Sequence, residues 1–118
     1  MTRRDDGLEM SCGKLLMTLP RTYPTVVHML LEAAERAPDR DALICDGERL
    51  TYAGYLQCVA GLANELHELD VAGERVAFIL GNSLDICIAY FAAHLARAQV
   101  TPLNPLYTER ELRPMLMD

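Results

Sequence analysis

The stretch Glu74–Tyr107 constrains the fold more than any other, because it reads as strand, crossover helix and strand in unbroken succession. Arg75–Leu80 (RVAFIL) is a short apolar run closed by Gly81, the pattern of a strand buried on both faces. Asn82 and Ser83 offer side-chain oxygens where a helix begins, and Leu84–Ala98 is apolar almost all round. Such a helix needs cover on most sides. Gln99 and a second short strand, Val100–Leu103, follow before Asn104 and Pro105 end it. Two parallel strands joined by a right-handed crossover are predicted.

Flanking segments extend the same α/β pattern. Pro24 and Thr25 mark a helix start, and Val26–Ala37 sets Val27, Leu30, Leu31 and Ala34 on one face with Glu32, Glu35 and Arg36 opposite, until Pro38 stops it. Asp41–Thr51 holds two apolar runs around Asp46-Gly47, a dipeptide suited to a tight hairpin. Thr51 then caps a long amphipathic helix whose apolar positions are Tyr52, Leu56, Val59, Ala63, Leu66 and Leu69, with Gly61 read as a point of close packing. Thr108 and Glu111 have the spacing of a capping box at the start of a last helix. Pro114 falls inside that helix, costs it about 3 kcal/mol, and predicts a short or kinked element. Met1–Thr22 shows no lasting period and reads as a tail or arm. With two parallel strands and one hairpin, the predicted sheet is unfinished, and unpaired strand edges predict marginal folding or self-association.

Eleven basic against seventeen acidic residues leave a net charge of −6, and no basic cluster exceeds Arg3 and Arg4, which argues against nucleic acid as a partner. Two Phe and no Trp leave Ala, Leu, Ile and Val to fill the core. Cys12, Cys45, Cys58 and Cys87 form no Cys-x-x-Cys pair, and the last three lie in apolar patterns, as reduced and mostly buried thiols would. No long apolar run opens the chain, and Ile86–Ala96 is shorter than the about 20 residues a membrane span needs. A cytoplasmic chain without a membrane span is the expectation.

Sequence motifs for local chemistry fail one by one. Gly7 to Gly13-Lys14-Leu15 has the wrong spacing for a phosphate loop, and Leu15 has no hydroxyl for magnesium. Gly81 is followed by no second glycine, and Asp85 stands where a nucleophile elbow needs glycine, so Ser83 reads as a helix cap. His28, His67 and His94 fall on three different helices with no paired zinc spacing. Glu32 with Glu35, and Glu65 with Glu68, read as solvated helix faces. No catalytic, cofactor-binding or metal-ligating residue is assigned.

Three blocks, in order and spacing, carry a resemblance. They are Leu50-Thr51-Tyr52, then Gly73 to Ser83, then Thr101-Pro102-Leu103-Asn104-Pro105 with Tyr107 and Glu111-Leu112. Together they resemble the N-terminal part of adenylate-forming (AMP-binding) ligases, and the last block looks more like an acyl-CoA synthetase than a peptide-synthetase domain. Gly54, Asp70, Gln99 and Pro114 depart from that pattern. The resemblance implies a partial N-terminal α/β subdomain over residues 23–118. It also implies a parent reaction in which ATP activates a carboxylic acid, fatty or aryl, to an acyl adenylate and then to a CoA thioester. ATP, magnesium and CoA are implied for the full-length family member and none for this chain, because the family's phosphate loop and catalytic lysine lie downstream of these blocks. The chain alone is then expected to be inactive, with the remainder of the ligase, in cis or as a separate chain, as its partner. The alternatives are a free-standing α/β binding module or one half of a split ligase.

Overall fold

The computed structural model describes residues 22–118 in full and, of the first 21, only the backbone of three short strands, β1 (Thr2–Arg3), β2 (Leu8–Ser11) and β3 (Lys14–Met17). These pair antiparallel in the order β1-β2-β3. The reading of Met1–Thr22 as a tail or arm, with Cys12 and the Gly7 to Leu15 segment, falls largely outside the described residues.

Helix α3 (Leu84–Leu95) is the centre around which the rest packs. It joins β6 (Arg75–Phe78) to β7 (Gln99–Pro102), and the two strands pair in parallel with Val76 beside Val100 and Phe78 beside Pro102, as the strand-helix-strand pattern predicts. One side of α3 lies on this pair through Ala89 and Ala93, which bury Phe78 and Ala98. Its other side meets α2 (Tyr52–Glu68), where Ala92 joins Tyr55, Val59 and Ala63, and Leu30 of α1 (Val26–Arg36) closes the cluster. Small side chains on both sides let two layers approach one helix closely. Two edge-to-face ring pairs brace the layers, Tyr55 with Phe91 at 5.6 Å and Phe78 with Tyr90 at 5.9 Å.

Local signals built the remaining elements as their residues require. The hairpin β4 (Asp41–Cys45) and β5 (Glu48–Thr51) turns through Asp46 and Gly47, both at positive φ (50° and 83°), and Arg49 pairs with Asp41 across it at 2.6 Å. Thr51 caps α2, its hydroxyl accepting from the Gly54 N–H at 3.1 Å. A Cβ at position 54 would stand 3.1 Å from Leu50 Cδ1, a tight contact to which that side chain would have to give. The last helix, α4 (Glu109–Met117), opens with the full capping box: the Glu111 N–H donates to Thr108 Oγ1, and the Thr108 N–H donates to Glu111 Oε2. It is short, nine residues with Pro114 inside.

Several expectations are corrected. The β6–β7 pair is packed on one face only: Val76 and Phe78 turn toward α3, whereas Arg75, Ala77 and Gln99 are exposed on the other, which the end of α4 borders without closing, Arg75 lying 3.8 Å from Asp118. Helix α3 ends at Leu95 rather than Ala98, since Arg97 enters the left-handed region at φ 67°. Thr25 and Ser83 occupy N-cap positions without a side-chain capping bond; the Thr25 hydroxyl lies 2.8 Å from His28 Nδ1, and Ser83 Oγ donates weakly to the Gly81 carbonyl at 3.4 Å. Leu31 and Leu69 are exposed at the margins of their helices, and Gly61 faces open space with no close neighbour. Cys58 is exposed, and Cys45 and Cys87 are half-buried. No described helix is long and apolar enough to cross a membrane.

Candidate functional site

In parallel α/β sheets ligands gather beyond the carboxyl ends of the strands, because the loops there are free to vary while the strands hold them. Here that end is a crest of three segments. Ile79–Ser83 leaves β6 and Leu103–Thr108 leaves β7, and the Leu103 N–H donates to the Phe78 carbonyl at 2.8 Å, holding the two loops side by side. The hairpin end reaches the same place, with Cys45 Sγ 4.0 Å from the Asn82 carbonyl oxygen.

Most polar groups on this crest are committed to shaping it. Asn104 Oδ1 accepts from the Leu106 N–H at 2.8 Å and the Asn104 carbonyl accepts from the Tyr107 N–H at 3.1 Å, which fixes the turn through Pro105. Thr108 and Glu111 bond each other's backbone. Burial pushes the Cys45 thiol up from its ordinary range, and the carboxylates of Asp46 and Glu48 add to that.

Two hollows lie away from the crest. A groove of about 340 Å³ between α1, α2 and α3 is walled by Val26, Tyr55, Cys87, Tyr90, Phe91 and His94. At its floor the Tyr55 hydroxyl donates to the Cys87 carbonyl at 2.9 Å, and burial, followed by the nearby Cys87, raises the Tyr55 pKa to about 12. On the open face of β6–β7, a hollow of about 550 Å³ is bounded by Arg75, Ala77, Gln99 and Thr101 from the strands and by Met115, Leu116 and Asp118 from the end of the chain.

Residues tested in the sequence are not brought together. His28, His67 and His94 stand exposed on α1, α2 and α3, and the His94 Nδ1 lies 2.7 Å from the Tyr90 carbonyl. Glu35, Glu65 and Glu68 are exposed, and Glu32 pairs with Arg36 at 3.5 Å. Among the described residues no group of three or more His, Cys, Asp or Glu is placed to hold a metal ion. The crest can therefore hold its loops in a fixed arrangement, with Asn104, Thr108 and Glu111 engaged in local bonds. Sequence reasoning missed Tyr55, the buried anchor of the groove. Its spacing of four and eight residues from Val59 and Ala63 was the available signal.

Comparison with known proteins converges on one group. The sequence profile of the family described as "AMP-binding enzyme" matches residues 30–118. A long-chain-fatty-acid–CoA ligase of Bacillus subtilis is 34% identical over 110 residues, 85% of this chain and 18% of that protein. Tyrocidine synthase 3 of Brevibacillus parabrevis is 31% identical over 100 residues, 81% of this chain and 2% of that protein. Among solved structures, Klebsiella oxytoca NpsA in complex with 3-hydroxyanthranilyl-AMSN superposes with a TM-score of 0.75 at 28% identity, over 81% of this chain and 20% of that one. The chain thus spans about a fifth of the length of the fatty-acid ligase it matches.

Proposed function

The chain belongs to the AMP-binding enzyme family, and on that premise we propose that it supplies the N-terminal part of the large domain of an AMP-forming acid–thiol ligase acting on a fatty or aryl acid. In the parent reaction a carboxylate attacks the α-phosphate of ATP, pyrophosphate leaves, and the thiol of CoA then takes the acyl group from the adenylate. The observation that carries the reading is the match over residues 30–118 to a family in whose fatty-acid ligase relative the aligned part is 18% of the length. What this segment contributes is scaffold. The α1–α2–α3 layer packs one side of the parallel strands, and the crest fixes the two loops at their carboxyl ends.

The open face of β6–β7 supports the same reading. Parallel sheets are stable when both faces are covered, and here Arg75, Ala77 and Gln99 face outward. The remainder of a ligase is the natural cover. Free strand edges in its absence favour self-association of the chain, which light scattering across a concentration series reads directly.

Catalysis by the chain alone is not expected, since its single lysine is Lys14 and the crest groups are held in local bonds. Carboxylate-dependent exchange of labelled pyrophosphate into ATP tests this. No exchange above the no-acid control is the expected result with long-chain fatty acids or aryl acids. Exchange that survives purification to homogeneity would overturn the scaffold reading.

A further inference from the structure

Cys45 and Cys87 are 42 residues apart in sequence, on different elements, and the fold brings their surroundings together. Three observations place them. Strand alternation puts Cys45 on the same face of β4 as Leu43, and Leu43 and Cys87 both pack against the cluster of Leu30, Tyr55, Val59, Ala63 and Ala92. Cys45 Sγ stands 4.0 Å from the Asn82 carbonyl oxygen, one residue ahead of the N-cap Ser83 of α3. Cys87 lies in the first turn of α3, where side chains lean toward the helix N-terminus and so toward Asn82. Both thiols are free and half-buried, whereas Cys58 is exposed on α2.

We propose that Cys45 and Cys87 are a reversible dithiol–disulfide site that, when oxidised, staples the β4–β5 hairpin to the crossover helix at the crest. The oxidant is a small-molecule disulfide such as glutathione disulfide. One thiol loses its proton and attacks that disulfide, releasing one glutathione thiolate and leaving a mixed disulfide on the protein. The second thiolate attacks the protein sulfur of the mixed disulfide and displaces the other glutathione. Two protein thiols are oxidised, one glutathione disulfide is reduced to two glutathiones, and two protons are carried by solvent and product. The site acts whatever substrate the parent ligase uses.

Tryptic cleavage separates the four cysteines, because Cys12, Cys45, Cys58 and Cys87 fall on peptides 5–14, 41–49, 50–75 and 76–97. The full chain is incubated with glutathione disulfide, quenched with acid and iodoacetamide, and mapped without reduction. Peptide 41–49 joined to 76–97 within one monomer, reversed by dithiothreitol and retained in Cys58→Ser, is the expected product. Its loss in Cys45→Ser and in Cys87→Ser, with glutathione left on the remaining cysteine, completes the expectation. A predominant bond involving Cys58 or Cys12, or stable glutathione adducts on Cys45 and Cys87 with no link between them, would overturn the proposal. The wild-type map decides this even where a variant fails to fold. Repeating the oxidation in urea checks that the fold directs the pairing: an unchanged preference there would also overturn it.

Discussion

Arg97 occupies the residue just beyond the end of α3 with φ at 67°, a conformation in which an L side chain crowds its own backbone. The hydrogen bonds define the motif: the Arg97 N–H donates to the His94 carbonyl at 3.0 Å and the Ala98 N–H to the Ala93 carbonyl at 2.9 Å, the paired bonds of a Schellman ending. Ala93 and Ala98, its usual apolar contact, are both buried in the cluster around Phe78. Glycine is the residue this geometry favours. The left-handed conformation costs Arg about 1–2 kcal/mol, and glycine gives back about 0.5–1 kcal/mol through greater freedom in the unfolded chain. Arg97→Gly should therefore stabilise the protein by about 0.5–1 kcal/mol, a rise of roughly 2–5 °C in melting temperature for a chain of this size. Urea melts followed by circular dichroism, with Arg97→Ala as reference, isolate the backbone term. Alanine keeps the strain and removes the exposed side chain, so it should lie within about 0.5 kcal/mol of the parent, with asparagine between alanine and glycine. An Arg97→Gly protein no more stable than Arg97→Ala would refute the argument that this helix end is strained.

Other perturbations probe the core, the caps and the groove. Ala92→Leu forces a larger side chain between α2 and α3 where Ala92 has no exposure, and should cost about 1–3 kcal/mol in a chemical melt. Thr108→Ala removes half of the capping box and should lower helix stability by about 0.5–2 kcal/mol, seen as faster amide exchange through Glu109–Arg113. Tyr55→Phe deletes the bond to the Cys87 carbonyl and should cost about 0.5–1.5 kcal/mol. Because the folded Tyr55 pKa is raised from 10 to about 12, the folded state holds the phenol proton more tightly. Its stability contribution is complete below pH 10 and falls as pH rises through 12, so alkaline melts should show a decline that Tyr55→Phe reduces.

Much of this architecture follows from short-range rules that a reader of the chain can apply. Asp46-Gly47 specified the hairpin turn, Thr51 the start of α2, Thr108 with Glu111 the capping box, and the run from Arg75 to Leu103 a parallel crossover, because each depends on the conformational preferences of neighbouring residues. Asp70, one of the departures from the family pattern, sits at φ 58°, a left-handed conformation that Asp tolerates better than most residues. Family membership was legible too, from the order and spacing of three blocks.

Other features depend on which surfaces meet, and only the packed chain decided them. Helix α3 is apolar on nearly every side, so periodicity could not say that Ala89 and Ala93 would face the strands while Ala92 faced α2. A buried strand and a half-covered one share one composition, and Arg75–Leu80 became the second because α3 covers a single face. Leu69 obeyed the helical spacing and Gly61 was read as a point of close packing, yet both ended in solvent, since a pattern names candidates for burial and a neighbour must be present to bury them. Placing Cys45 against the backbone that opens α3 likewise needed the hairpin folded onto the crossover, a contact between residues 37 positions apart that no local preference encodes.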